Sequence, residues 1–527
     1  MSSPDVDDAA PQVRLHGVRG ALSGPVTFTA EQEAVLGREP GHGPVLVVGG
    51  PGTGRSTLAV ELVARRLEAG LDPHRVLVLA PTRRAAATLR EQLGARLSAA
   101  GRDTRAATPV RTWSSYAFDL LRRARLHGPL SHLEHAPRLL SGAEQDTVIA
   151  ELIEGLTASV GAVTMWPEDL RPALPTRGFR QEVRELVDRM SELGLEPGWL
   201  QAAGRQHGRP EWEAAAVLIQ DYRDRLDLGM AEAFDPAGLI AAAVELLRVG
   251  APPASDDARA GSATPGGDAP SAPPTMSVGE EFAAAERAHW QLIVVDDLQE
   301  ASPAMHDLLR VLVTDVDCVL TASPDTTVQG FRGARPDLVH TYPDVLGGAA
   351  GARDSQQRVH VLTQGHRLGP KVLADWQRIA ARIGTPSAAI VRARTELTPA
   401  APRGGTEAVE PSAPDDAPRA EPSPATAVPT TAVLASREAE LQFVLQEVLR
   451  IHHEDQVPLA EIAVLARSGT HVQELARFLE GESVPVHRDA TGTVLKDQPA
   501  VAPLLSLLRT VTGIAAALER AQDARED

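Results

Sequence analysis

The residues with the plainest chemical meaning run Gly49-Gly50-Pro51-Gly52-Thr53-Gly54-Arg55-Ser56, followed by Thr57. Glycines let the backbone curl so that successive N–H groups converge on one spot, and a helix starting there adds partial positive charge. Such a turn cradles the phosphates of a nucleotide, and the Ser56 hydroxyl stands where Mg²⁺ is held. An apolar run at 45–48 precedes the turn and a helical pattern over 56–68 follows it, the context a phosphate loop requires. The competing reading is a plain glycine-rich turn between a strand and a helix. The pattern calls for lysine where this chain has Arg55. A guanidinium is planar, wider and more weakly hydrated than an ammonium. It still attracts a triphosphate, but its shape does not suit the place where charge develops during phosphoryl transfer.

A second cluster follows the apolar run 292–295: Asp296-Asp297-Leu298-Gln299-Glu300. Two carboxylates after a strand suit a phosphate site, with Asp296 holding Mg²⁺ and Asp297 activating the attacking water. Without a partner loop, the same pair reads as a solvated turn.

Elements must bring these clusters together. Apolar runs at 45–48, 75–80, 109–113, 292–295, 316–322 and 359–363 alternate with helical patterns, including 56–68 and one capped by Thr82 that runs to 97. Strands alternating with helices predict a parallel α/β sheet. Residues 122–250 instead repeat apolar side chains at helical spacing, as in Val183, Leu186, Val187 and Met190, and read as an all-helical insertion. The stretches 251–280 and 397–430 are rich in Ala, Pro, Gly and Asp and read as disordered, as does 1–24. A second α/β unit is expected after them, with strands at 431–435, 462–466 and 484–487, helices between, and a charged tail at 516–527.

The chain of 527 residues has a net charge of −18, so nucleic-acid contact must rely on local arginines in an acidic whole. Lysine occurs only at Lys371 and Lys496, and arginine supplies the rest of the 52 basic residues. The single cysteine, Cys318, excludes a disulfide framework and reads as a buried apolar thiol. The acidic start has no apolar signal region and no run spans a bilayer, so no membrane partner and a cytoplasmic location are expected.

Further segments narrow the class. Phe28-Thr29-Ala30-Glu31-Gln32, Ala80-Pro81-Thr82-Arg83-Arg84-Ala85-Ala86, Val110-Arg111-Thr112-Trp113-Ser114-Ser115, Gln329-Gly330-Phe331-Arg332-Gly333-Ala334 and Gly365-His366-Arg367-Leu368 stand in that order around the two phosphate-site clusters. Together they resemble the motifs of superfamily 1 DNA helicases of the UvrD/Rep/RecB kind. Residues 140–146 and 207–212 are similar to the motor subunits of the actinobacterial two-motor helicase–nuclease. The resemblance implies a P-loop NTPase in which a RecA-like domain 1A (25–121 and 281–364) carries the helical insertion 1B (122–250). A partial RecA-like domain 2A (365–515) follows, and the chain is expected to stop before the 2B domain.

The resemblance also implies roles. ATP and Mg²⁺ are the cofactors. Gln32, Gly49 to Thr57 and Gln299 hold nucleotide, with Ser56 and Asp296 on the metal. Asp297 acts as base, Arg367 reaches the γ-phosphate, and Arg332 is a further catalytic residue. Thr82, Arg83, Thr112, Trp113 and Ser114 touch single-stranded DNA. A 3′ to 5′ motor in double-strand break repair, beside a second helicase–nuclease subunit, is the expected setting. Two alternatives stay open locally: Thr29-x-x-Gln32 is also a helix capping box, and Trp113 has the pattern of a core residue. The family has glutamate at Asp297, so two catalytic positions depart together. That departure supports the rival reading of a non-hydrolysing structural subunit that binds DNA or a partner.

Overall fold

The computed structural model describes residues 26–41, 43–101, 109–158, 163–230, 232–235, 238–249, 276–313, 316–342, 358–384, 387–400 and 430–487. The chain divides into two compact units between Val428 and Pro429.

In the first unit, β1 (Val45–Gly49), β2 (Val76–Ala80) and β3 (Val110–Thr112) alternate with α1 (Ala30–Leu36), α2 (Arg55–Glu68), α3 (Arg83–Ala99) and α4 (Trp113–His127). A helical block follows: β4 (Arg138–Leu139), α5 (Gly142–Ala158), α6 (Arg177–Leu193), α7 (Pro197–His207), α8 (Pro210–Gly229) and β5 (Ala233–Phe234). Then come α9 (Gly238–Arg248), α10 (Val278–His289), β6 (Leu292–Val295), α11 (Pro303–Leu312), β7 (Asp317–Ala322), β8 (Val359–Leu362), α12 (Pro370–Ala380) and α13 (Ala388–Thr395).

Six strands form one sheet in the order β3-β2-β6-β7-β1-β8, and every pair in it is parallel. Parallel strands need both faces covered, which is why β1, β2 and β6 are continuous apolar runs, buried throughout. Alternate residues supply the two faces. Val45, Val47, Val76, Val78, Leu292 and Val294 pack under α1, α2 and α3. Leu46, Val48, Leu77, Leu79, Ile293, Val295, Cys318 and Leu320 pack under α4, α9, α10 and α11. Cys318 is a buried free thiol, as its apolar setting predicts, and burial pushes its pKa up.

Several expectations are corrected. The third strand ends at Thr112, because the Thr112 hydroxyl accepts from the Ser115 N–H and starts α4 one residue early. Within the expected insertion 122–250, α9 contributes Leu239, Ile240, Ala243, Val244 and Leu247 to the sheet core. The insertion's own core, built on α5, α6 and α8, includes Ile149, Val187 and Ile219, and the block holds the short parallel pair β4–β5. The 251–280 segment ends in ordered chain, since Ser277 and Glu280 form a capping box that opens α10; residues 251–275 lie outside the described residues.

The expected break at 364–365 falls inside the first unit. Residues 397–400 are not part of a disordered stretch: Thr398 donates its N–H to Thr363 O (2.8 Å) and bridges Gln364 in parallel. In the second unit, α14 (Arg437–His453) and α15 (Gly469–Gly481) pack through Leu445, Val448 and Leu479. The segments 431–435, 462–466 and 484–487, expected as strands, join no ladder among the described residues. A strand is defined by a neighbour that takes its N–H and C=O groups, and hydrophobicity does not supply one. The tail and residues 1–24 and 488–515 lie outside the described residues.

Candidate nucleotide site and the adjoining sheet edge

Five of the candidate segments lie at the carboxyl ends of sheet strands, the edge where open α/β sheets bind ligands, whereas residues 28–32 precede β1 and 329–334 lie beyond the segment that follows β7. The glycine loop follows β1, and the acidic cluster follows β6. Residues 81–83 and 112–114 follow β2 and β3, and 365–368 follow β8.

The loop is shaped by close approaches on several sides. Gly52 and Gly54 both have φ +79°, a region side chains rarely enter. A Cβ on Gly52 would stand 2.9 Å from Arg367 Cβ, and one on Gly54 2.9 Å from Gln32 Nε2. A Cβ on Gly50 would stand 2.5 Å from the Leu397 side chain. Within the loop, the Thr53 hydroxyl donates to Gly50 O (2.9 Å). Outside it, the His366 N–H donates to Gly52 O (2.9 Å), which brings the exposed Arg367 against the turn.

Gln32 is buried, and both ends of its amide are engaged. Its Oε1 accepts from Thr29 N–H (2.9 Å), completing the capping box, and its Nε2 donates to Thr53 O (3.1 Å). The capping box is therefore formed, with an added tie to the phosphate loop. Glu31 ties the same helix to the end of β8, accepting from the Thr363 hydroxyl at 2.8 Å and its N–H at 3.1 Å.

The carboxylates face the loop across the end of β7, which lies between β6 and β1 in the sheet. Ser56 Oγ donates to Asp296 Oδ2 (2.8 Å), and Thr321 Oγ1 donates to Asp296 Oδ1 (2.7 Å). Burial, and then the Asp297 carboxylate, push Asp296 above its ordinary pKa; the two hydroxyls and Arg55 pull the other way. Asp297 has φ 53°, a left-handed turn that an aspartate tolerates at some cost. Its Oδ1 accepts from Gln299 Nε2 (3.0 Å) and Arg55 Nη2 (3.3 Å). Gln299 Oε1 in turn accepts from the Ser323 N–H (2.8 Å), joining the acidic cluster to the segment after β7.

Arg55 is folded back over the loop. Its Nη1 donates to Gly49 O and Gly50 O, both at 2.6 Å, and its side chain is 12% exposed. Its buried Nε has no partner among the described residues. The guanidinium therefore lies against loop carbonyls and one catalytic candidate.

Ser56 and Asp296 fit a magnesium ion. Both offer hard oxygens, and among the described residues no cluster of three or more His, Cys, Asp or Glu forms an all-protein cage. Magnesium typically takes one or two carboxylates and keeps its other positions for water and phosphate oxygens.

Other expected residues are dispersed. Thr82 lies two residues past the end of β2 and Thr112 ends the neighbouring β3, and each is a helix N-cap, accepting from Ala85 and Ser115 N–H; Arg83 is exposed and Ser114 half-buried. Trp113 is 2% exposed and packs with Leu120 and Val295 in the sheet core, so it cannot meet a DNA base. Arg332 is exposed in the turn after β7, where its charge acts on Glu192 of the insertion. No contact of Arg332 with the loop is found among the described residues.

Sequence reading missed Thr321, Glu300 and Asp325. Thr321 is the polar interruption of an apolar strand, a signal that was legible. Glu300 accepts from the N–H groups of Val328 and Gln329, fixing the next turn to the acidic cluster. Asp325 forms a buried bidentate pair with Arg394 (2.7 and 2.8 Å), locking α13 and the following Leu397 over Gly50.

A doubly covered parallel sheet, a glycine loop opening a helix and a carboxylate facing the helix's first serine define a P-loop nucleotide-binding protein. The chain belongs to the UvrD/REP helicase N-terminal domain family, whose profile matches residues 28–344. The family implies an ATP-dependent DNA helicase motor. No curated protein matches the chain at a significant level. Among the described residues, no helix is long and apolar enough to cross a membrane.

Proposed function

We propose that this chain is the nucleotide-binding part of a DNA translocase, taking Mg-ATP at residues 49–56 and single-stranded DNA along the carboxyl ends of β2 and β3. The observation that carries the reading is the Ser56–Asp296–Thr321 chain of hydrogen bonds beside the phosphate loop. The loop N–H groups and the start of α2 would bind the phosphates, and Arg367 would add charge from the flank. Ser56 and Asp296 would hold magnesium, which supplies charge neutralisation on the phosphate oxygens. Asp297 would accept the proton of the attacking water. On the DNA side, Thr82, Arg83, Thr112 and Ser114 offer hydroxyls and one charge, and the exposed Phe331 offers a ring on which a base can stack. The 3′ to 5′ direction, the repair role and a helicase–nuclease partner rest on the family resemblance.

One observation favours a second reading, a non-hydrolysing subunit. Arg55 is paired with Asp297, so the base is held by the residue that should bind phosphate. In the purified 527-residue chain we expect weak Mg-ATP binding, abolished by Gly54→Val, and no turnover stimulated by single-stranded DNA. Robust stimulated turnover would exclude the second reading; absence of any Mg-ATP binding would overturn the first.

A further inference from the structure

The turn that carries Phe331 is gripped from two sides. On one side is Glu300, whose carboxylate holds the Val328 and Gln329 N–H groups (3.0 and 2.8 Å) three residues from Asp297. On the other side is helix α6 of the insertion. Arg189 Nη2 donates to Phe331 O, and Arg189 Nη1 donates to Glu192 Oε2 (3.3 Å). Both side chains press on the next glycine. A Cβ on Gly333 would stand 2.6 Å from Glu192 Oε2 and 2.7 Å from Arg189 Nη1, and Gly333 has φ +84°. At this φ a side chain would be strained, and it would also displace both side-chain ends.

The grip leaves the ring outside. Phe331 is 70% exposed and Val328 69%, while Ala334 just beyond is buried. The Arg332 guanidinium lies 5.3 Å from the Phe331 ring centre, so the exposed ring is flanked by positive charge. Hydrogen bonds inside the turn run from Arg332 N–H to Gln329 O (2.8 Å), from Gly333 N–H to Gly330 O (3.1 Å) and from Ala334 N–H to Gln329 O (3.2 Å). These bonds close the five-residue Gln329–Gly333 turn on itself, and its outside anchors are Glu300 of the acidic cluster and Arg189 of the helical block.

We propose that Arg189 and Glu192, on the helical insertion, are positioning residues that hold the Gln329–Gly333 turn so that Phe331 is presented for base stacking. The insertion thereby acts on the DNA-facing surface without touching DNA at these two residues. Because Glu300 grips the other end of the same turn, a shift of the acidic cluster and a shift of α6 meet at one ring. The idea rests on the proposed single-strand binding, and its test separates the two.

The test uses the full chain and the variants Arg189→Ala, Arg189→Lys, Phe331→Ala and the double variant Arg189→Ala/Phe331→Ala. The first readout needs no DNA: amide hydrogen exchange at Arg332, Gly333 and Ala334. Exchange there should quicken in Arg189→Ala and be largely restored in Arg189→Lys, which keeps one donor for the Phe331 carbonyl. Unchanged exchange in Arg189→Ala overturns the clamp, whatever the DNA results. The second readout is quenching of 2-aminopurine in a single-stranded oligonucleotide, which reports stacking. Phe331→Ala should weaken binding by about ten-fold and remove the quench. Arg189→Ala should lose most of the quench, leave Mg-ATP binding unchanged, and add nothing in the double variant beyond the Phe331→Ala loss. Additive losses would mean that Arg189 acts elsewhere and would overturn the proposal. Quickened exchange with no quench in the parent protein would leave the clamp standing as a structural contact. It would overturn both its proposed role at a base and the single-strand reading.

Discussion

Arg55→Lys tests how the phosphate loop is closed. In the structure one guanidinium nitrogen bonds two loop carbonyls at 2.6 Å, and the other reaches Asp297 at 3.3 Å. Phosphates entering the loop must draw this group away from those acceptors. A hydrogen bond from a charged donor contributes about 1.5–3 kcal/mol, so the two carbonyl contacts set at least about 3 kcal/mol against entry. At about 1.4 kcal/mol per decade, that is roughly a hundred-fold in Kd. Lysine carries one compact ammonium and cannot span both carbonyls and Asp297 as the fork does. Keeping about half of those contacts, Arg55→Lys should bind Mg-ATP about ten-fold more tightly than the parent. Arg55→Ala frees the carbonyls but supplies no charge, and should bind no better than the parent. The assay is titration with a fluorescent ATP analogue at fixed magnesium, with Gly54→Val as the blank. If Arg55→Lys and the parent agree within about two-fold, the folded-back guanidinium does not govern entry, and the argument from these distances is wrong.

Two further outcomes follow from buried carboxyls. Thr321→Val removes the hydroxyl that donates to Asp296 Oδ1 and so one interaction that holds its raised pKa down; magnesium-dependent nucleotide binding should weaken and its pH midpoint should move upward, measured by titration across pH. Glu192 offers a stability readout: burial pushes it up to about 7 from 4.5, with Asp188 adding and Arg189 and Arg332 opposing. The folded state therefore keeps this proton longer than the unfolded one, and stability falls as pH rises from 4.5 to about 7. Glu192→Gln should flatten that decline in Tm, and an identical slope in parent and variant would refute the burial argument.

Much of the site was legible because chain order encoded it. The glycine loop needs specific backbone freedom, and Gly52 and Gly54 have it at φ +79°. The strand runs needed two covered faces, so 45–48 and 292–295 read correctly as interior strands. Where the reading failed, two structures shared one pattern. Trp113 between a strand and a helix suits either a core or a base contact, and burial to 2% decides it. Helix α9 looks like its neighbours in the insertion, yet its apolar face is absorbed by the sheet core. The 431–435 and 462–466 segments are apolar, but pairing depends on a neighbour that their own residues do not encode.

What the sequence determined by itself is therefore local: a phosphate loop with arginine in place of lysine, two acids after a strand, a parallel sheet to bear them, and the motif order of a helicase family. The tertiary structure alone decided how these parts act on one another. It put β7 between the two phosphate-site strands, so that Thr321 holds Asp296. It folded Arg55 onto Gly49 and Gly50, and it turned the Gln32 amide inward. It also brought Arg189 to a carbonyl 142 positions away along the chain. The physical reason is that a backbone conformation is set by neighbours in sequence. A hydrogen bond between distant residues exists only once the sheet order has placed its partners.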